Sequence, residues 1–457
     1  HYKTPPDPTN MFKSPDQINR ENAQTIRIPA PPVTPDGSRP LRVVLISHSD
    51  ILGGAGVVTY RLMHALRNAG IDARMLAYTR LTDEDVVQEI TTRNKRSYRF
   101  LMERASIFLA NGFNRKDLFK VSFANTGSPV WEHPWTKEAD VIMLNWVNQG
   151  LLSLKGIGRL GSLGKPIIWT MHDMWCMTGI CHHSLDCEHY LKECGRCKFL
   201  HSSNPNDASH KVWLKKKALY EAVPITFVAV SNWLADRARS SSLLHDCNLR
   251  VIPNAVPVET FLTEPTHTVQ SLHVDYSRDL ILMGAARLDD PIKGIDYAID
   301  ALNYLFDNNP KIANRCSAVF FGDIRDRSVL DRLRFPYSYL GRINDRSLLR
   351  QLYANAKVVI STSLYETLPG TLIEGQAAGC IPVSFDRGGQ RDIIEHKVNG
   401  YLAEYKNPQS VANGILWALS QDNNRRELHE EVKRKFSSEV VADRYINLIN
   451  ELLSKEK

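Results

Sequence analysis

From Leu41 onward, short apolar runs alternate with longer segments of helical periodicity. Leu41 to Ser47 predicts a buried strand, Gly53, Gly54 and Gly56 a turn, Val57 to Arg67 a helix stopped by Gly70, and Ile71 to Tyr78 a second strand. Further strands are predicted at Asp140 to Leu144, Pro166 to Thr170 and Ile225 to Val230, with Ser231 in position to cap the next helix. Such a series predicts a mostly parallel sheet covered by helices on both faces.

The series then repeats. Leu280 to Gly284, Ala318 to Phe321, Tyr339 with Leu340, Val358 to Ser361 and Ile381 to Phe385 read as strands. Gly294 to Phe306, Ser347 to Ala354 and Thr371 to Ala378 read as helices, and a last one from about Ser438 to Leu453 sets Val441, Tyr445, Leu448 and Leu452 on one side. The expected organisation is a proline-rich arm over 1–40, a first α/β domain over 41–258, a linker over 259–277, a second α/β domain over 278–435, and a terminal helix over 436–457 packed back on the first domain. Two such domains place a cleft between the carboxyl ends of two sheets, where open α/β folds bind ligands.

Composition narrows the classes. Of 457 residues, 43% are apolar and 23% charged, as in folded globular chains. No apolar run is long enough to span a bilayer, and no charged-then-apolar secretory signal opens the chain, so the expected compartment is the cytoplasm. The net charge of +7 is partly localised: residues 91–120 hold eight Lys or Arg and two acids, interleaved with Tyr98, Phe100, Leu101, Met102, Ile107, Phe108 and Leu109. Two readings stand, a surface helix with its apolar side on the core and a basic amphipathic helix lying on anionic lipid at the inner face of the plasma membrane. Nucleic acid is excluded as a partner, because no finger, helix-turn-helix or single-strand-binding signature accompanies the charge.

The candidate chemistry gathers in the second series. In STSLYETLPGTLIEGQAAG, Glu366 sits in a loop at a strand's end and Glu374 one to two turns into the next helix, whose first N–H groups face the same place. Upstream, in GAARLDDPIKG, Arg287 at the end of a strand and Lys293 at the start of a helix can converge on a diphosphate, the guanidinium as a fork of donors and the amine as a point charge.

Together with Gly341–Arg342 after a short strand and the tail PVSFDRGGQRDII, these motifs resemble, in order, the retaining glycosyltransferases of family 4 (group 1), capsule, exopolysaccharide and lipopolysaccharide enzymes included. The resemblance covers nearly all of residues 41–455. It implies the GT-B fold, two Rossmann-like domains facing across a cleft, with the donor on the second domain and the acceptor on the first. It further implies a UDP- or GDP-sugar donor whose diphosphate is held by Arg287 and Lys293. Glu366 would touch the transferred sugar, Glu374 the ribose, the backbone at Arg342 and Ile343 the base, and the N–H groups of Leu368, Pro369's neighbour Gly370, and Thr371 the phosphate or sugar. Gly53, Gly54 and Ala55 would approach the diphosphate from across the cleft, and His172 would lie beside the transferred sugar with Asp173 ordering its loop. The implied reaction is same-face hexosyl transfer without a catalytic metal, to a saccharide or polyprenyl-linked saccharide, in surface polysaccharide synthesis.

Five of eight cysteines, Cys176, Cys181, Cys187, Cys194 and Cys197, fall within 22 residues, beside His182, His183 and His189. In a cytoplasmic chain such spacing predicts a structural zinc held by Cys181, Cys187, Cys194 and Cys197, with two disulfides or free thiols as the alternative. The segment HDMWCMTGICHH is expected to shape the acceptor side of the cleft. A rival class, a non-catalytic nucleotide-sugar-binding or scaffold protein of the same fold, is disfavoured because Arg287, Lys293, Glu366 and Glu374 are all present.

Overall fold

The computed structural model describes residues 33–34, 36–266, 273–422 and 424–455. Most of the expected arm, and residues 267–272 of the expected linker, lie outside the described residues.

The first sheet holds seven parallel strands: β1 (Arg42–Ser49), β2 (Asp72–Thr79), β3 (Val87–Glu89), β4 (Val141–Leu144), β5 (Ile167–Met171), β6 (Ile225–Ala229) and β7 (Asn248–Val251), in the order β3-β2-β1-β4-β5-β6-β7. The second holds six: β8 (Asp279–Arg287), β9 (Cys316–Asp323), β10 (Tyr337–Tyr339), β11 (Ala356–Ser361), β12 (Ile381–Phe385) and β13 (Tyr401–Ala403), in the order β10-β9-β8-β11-β12-β13. Side chains alternate between faces, so Val43 and Leu45 join one core cluster with Leu62, Met63 and Leu66, while Val44 and Ile46 join another with Leu144 and Trp169. Burial on both faces is why these central strands read as continuous apolar runs. The edge strands β3, β7 and β13 carry no such run, and the hydrophobic pattern does not predict them.

Strand order reverses between β1 and β4 in the first sheet and between β8 and β11 in the second. At such a point the connections leave adjacent strands toward opposite faces and a crevice opens at their carboxyl ends. Five helices border or brace these crevices and the first sheet: α1 (Gly53–Asn68), α2 (Arg93–Ala110), α3 (Asn232–Ser240), α4 (Gly370–Ala377) and α5 (Ser438–Lys455). Ser231 caps α3, its Oγ accepting from the Leu234 N–H at 3.2 Å. Helix α5 buries Val441, Tyr445 and Leu448 against the first sheet's outer cluster, and the Tyr445 hydroxyl bonds Thr170 Oγ1 at 2.9 Å.

Helix α2 departs from the ordinary surface helix. Its inward side carries charge beside Ile107, which is buried in the core: Glu103 is fully buried and accepts from the N–H groups of Phe123 and Ala124 at 2.9 and 3.0 Å, and the buried Arg104 donates to the Val121 carbonyl at 3.2 Å. Its outward side is apolar, with Tyr98, Leu101, Met102 and Leu109 exposed, followed by exposed Phe113 and Phe119 in the next loop. The reading that set the helix's apolar side on the core holds for Ile107 and is corrected for Tyr98, Leu101, Met102 and Leu109. Free N–H and carbonyl groups in the 118–124 segment beneath it demand polar partners, and Glu103 and Arg104 supply them.

Candidate functional site

The loops at both reversal points meet around one cavity of about 420 Å³. The first domain contributes Ser47 to Ser49 from the end of β1, the start of α1, Trp146 after β4, and His172 and Asp173 after β5. The second contributes Ile292 and Lys293 after β8 and Tyr365 to Thr367 after β11.

Each wall has a local cause. Gly53 begins α1 at φ +75°, and a side chain at Gly56 would bring Cβ to 2.9 Å from the Ser49 carbonyl, so only glycine lets the helix start this close to β1. No side chain caps α1, which leaves its first N–H groups and the positive end of its dipole toward the cavity. Opposite, Gly294 at φ +62° ends the turn that carries Lys293, and an added Cβ would lie 2.2 Å from the Thr362 carbonyl. That close approach ties the Lys293 turn to the segment carrying Glu366. Lys293 Nζ meets Glu366 Oε2 at 2.7 Å, and the carboxylate raises the amine above its ordinary pKa. The ammonium is therefore charged at neutral pH and faces the α1 N-terminus across the cavity.

His172 Nε2 shares a hydrogen bond of 3.1 Å with Asn145 Oδ1. Burial pushes its pKa down to about 4 against the pull of Asp173, so the ring is neutral at physiological pH and offers hydrogen bonding rather than charge. Asp173 accepts from Trp146 Nε1 at 2.9 Å and from the Trp175 N–H at 2.8 Å, and pairs with His182 Nδ1 at 2.7 Å. These contacts hold its carboxyl well below the usual range despite burial. Across the domain boundary, Thr367 Oγ1 donates to the His172 carbonyl at 3.2 Å, and the Asn232 N–H at the start of α3 donates to Asp392 at 2.6 Å.

Of the residues singled out from the sequence, Gly53, Gly54, Ala55, His172, Lys293 and Glu366 line this cavity. Arg287 does not: its guanidinium turns to Asp289 and Asp290 at 3.5 and 3.3 Å, so the expected convergence with Lys293 is not made. Glu374 is taken by Arg61 of α1 at 2.7 Å, an ion pair between the two domains. Pro369 precedes α4, where Gly370 and Thr371 form an uncapped first turn, and Leu368 is buried beneath. Arg342 is exposed, 3.8 Å from Asp323, and Ile343 packs on the core beside Leu340. No local pattern signals Arg61, whose partner lies 313 positions away, nor His48 or Trp146 as cavity walls, whereas His183 closes the segment expected on the acceptor side. Tyr365 had one available signal, its place beside Glu366.

The zinc expectation finds no support. Cys181, Cys187, Cys194 and Cys197 are free, and among the described residues no three His, Cys, Asp or Glu side chains are arranged to hold a metal. Cys194 Sγ accepts from the Gly179 N–H at 3.2 Å.

Parallel two-sheet architecture with a cavity at both reversal points defines a GT-B protein. The model of Glycosyltransferase Family 4 matches residues 52–260 and that of Glycosyl transferases group 1 matches residues 273–435. The chain belongs to glycosyltransferase family 4. An uncharacterized glycosyltransferase of Methanocaldococcus jannaschii is 30% identical over 275 residues, 56% of this chain and 66% of that protein. The poly(ribitol-phosphate) α-N-acetylglucosaminyltransferase of Staphylococcus aureus is 28% identical over 177 residues, 35% of this chain and 33% of that protein. The matches thus span between a third and two thirds of these relatives' length. Anabaena HepE, solved in complex with UDP-glucose, shares the fold with a TM-score of 0.57 at 17% identity, over 91% of this chain and all of that one.

Proposed function

We propose that this chain is a retaining glycosyltransferase that moves a hexose from a UDP- or GDP-sugar to a saccharide or polyprenyl-linked saccharide in surface polysaccharide synthesis. The observation that carries the reading is the Lys293–Glu366 pair facing the uncapped start of α1 across one cavity. A sugar nucleotide laid there has its diphosphate between an ammonium and a helix N-terminus, and its sugar against Glu366 and His172. The structure of HepE with UDP-glucose agrees with that class of donor.

Retention by double displacement needs a carboxylate free to attack the anomeric carbon. In this reading Glu366, paired with Lys293, belongs to donor binding, and the transfer runs on one face. The bond from the anomeric carbon to the phosphate oxygen breaks, the acceptor oxygen bonds that carbon, and the acceptor's proton passes to the leaving diphosphate. Lys293 and the α1 dipole stabilise the charge on that diphosphate, and no metal is called for. Arg287 joins them on donor binding by exchanging Asp289 and Asp290 for phosphate oxygens, and Glu374 exchanges Arg61 for the ribose diol. The outward apolar face of α2, with exposed Arg93, Lys95, Arg115 and Lys116 around it, suits an anionic membrane surface at which a lipid-linked acceptor is presented.

The test is turnover against a panel of UDP- and GDP-sugars with mono- and oligosaccharide acceptors, the product's anomeric configuration read by NMR. One donor is expected to be used with retention, and no turnover with any donor, or an inverted product, would defeat the reading.

A further inference from the structure

The segment from Gly179 to Ser184 crosses the mouth of the first domain as an extended strap. Cys181 forms an antiparallel bridge with Val121, the Ser122 N–H donates to the Ile180 carbonyl at 2.9 Å, and the His182 N–H donates to the Lys120 carbonyl at 3.0 Å. The strap's root is fixed by the fully buried Lys216, whose amine donates to the carbonyls of Trp175 and Thr178 at 2.5 and 3.0 Å. His182 turns inward, between Asp173 at 2.7 Å and Ser122 Oγ at 3.0 Å, and both its ring nitrogens are used.

His183 turns the other way, into the cavity that holds Lys293, Glu366 and His172. Its ring rests against Tyr365 with centroids 4.8 Å apart, and Tyr365 in turn abuts Trp233 of α3 at 5.1 Å. The Nδ1 atom is buried and has no hydrogen-bond partner among the described residues. Leaving a buried polar atom unpaired costs about 1–3 kcal/mol, so such an atom at the wall of a binding cavity is a place kept for a ligand. Burial holds the ring's pKa below its ordinary value, with Asp173 opposing and His182 adding to the effect. A neutral imidazole nitrogen can donate to or accept from a hydroxyl group, which offers both roles in return.

Resting on the reading of the chain as a glycosyltransferase, we propose that His183 is a specificity-determining residue whose Nδ1 hydrogen-bonds a hydroxyl of the acceptor saccharide. The acceptor is its partner because Gly53 to Ala55, His172, Lys293 and Glu366 are already assigned to the donor, while His183 stands on the separate 179–184 strap at the same cavity. The strap thereby serves the reaction: its backbone pairing and the locked His182 fix the direction in which His183 points.

The experiment compares wild type with His183→Phe, His183→Asn and His183→Ala, using the nucleotide-sugar donor and saccharide acceptor that wild type turns over best. Phenylalanine keeps the ring against Tyr365 and removes the nitrogen, whereas asparagine returns a polar atom near the position of Nδ1. His183→Phe and His183→Ala are expected to raise KM for the saccharide about tenfold while KM for the nucleotide sugar moves less than twofold, and His183→Asn to recover part of the loss. A His183→Phe variant with wild-type saccharide KM, or one whose defect lies in the nucleotide-sugar KM, overturns the proposal. Binding of UDP and GDP alone, measured by calorimetry on wild type, separates the two readings: a chain that binds neither and turns over no donor defeats the glycosyltransferase reading and this one with it.

Discussion

Arg61 of α1 and Glu374 of α4 meet at 2.7 Å across the domain boundary, with only 15% and 13% of their side chains exposed. Neither charge can be left alone there cheaply, since removing one partner of a mostly buried pair strands the other. Arg61→Ala and Glu374→Ala are each expected to lower the unfolding free energy by about 2 kcal/mol, and the double variant by clearly less than the sum. Denaturant unfolding of the four proteins measures the coupling. A coupling near zero would mean that the domains do not hold this pair in solution.

The same geometry predicts how the charged pair in the cavity behaves. Lys293→Ala removes the ammonium that meets the developing charge, and a loss of transition-state electrostatics of this kind costs on the order of a hundredfold in turnover. Glu366→Ala is expected to abolish transfer with the fold intact, as read by circular dichroism. Steady-state kinetics check both; wild-type kcat in Lys293→Ala would remove the amine from the mechanism.

Two buried imidazoles give a pH signature. His48 is held at about 4 by burial and by Arg96, and His172 at about 4 by burial. In the unfolded chain both return to about 6.5. Between pH 6.5 and 4 the unfolded state therefore binds more protons, and stability falls as the pH is lowered through that window. A His48→Asn, His172→Asn double variant is expected to show a shallower fall of Tm from pH 7 to 4, and an unchanged slope would contradict the assignment.

Glu103 predicts a cost unusual for a charged residue on a surface helix. Glu103→Ala strands the Phe123 and Ala124 N–H groups in the interior and is expected to cost about 2–4 kcal/mol. Leu101→Ala, on the outward face, is expected to change stability by less than about 0.5 kcal/mol. Thermal unfolding compares them.

The outward face carries its own test. Wild type is expected to co-sediment with vesicles of phosphatidylglycerol and phosphatidylcholine, and a Leu101→Glu, Phe113→Glu variant to lose most of that binding. Arg93, Lys95, Arg115 and Lys116 changed to Ser should weaken it and flatten its salt dependence. Binding unaltered in both variants would dismiss α2 as the membrane contact.

Features that depend on local pattern are legible in the chain alone. Strands buried on both faces are written as apolar runs, so β1, β4, β5, β6, β8, β11 and β12 can be read there, and with them the two parallel sheets. Glycines needed for close approach, and the ordered motifs around Lys293 and Glu366, mark the site because their constraints act between near neighbours or recur across a family. Features that depend on distant partners emerge only on folding. Packing sets Arg61 against Glu374, turns Arg287 to its own loop's aspartates, and leaves Tyr98, Leu101, Met102 and Leu109 of α2 exposed. It also separates His182 from His183, identical neighbours in the chain, by pointing one at Asp173 and the other into the cavity. Periodicity fixes which residues share a face, but which face meets solvent, core or ligand is settled only when the rest of the chain packs against it.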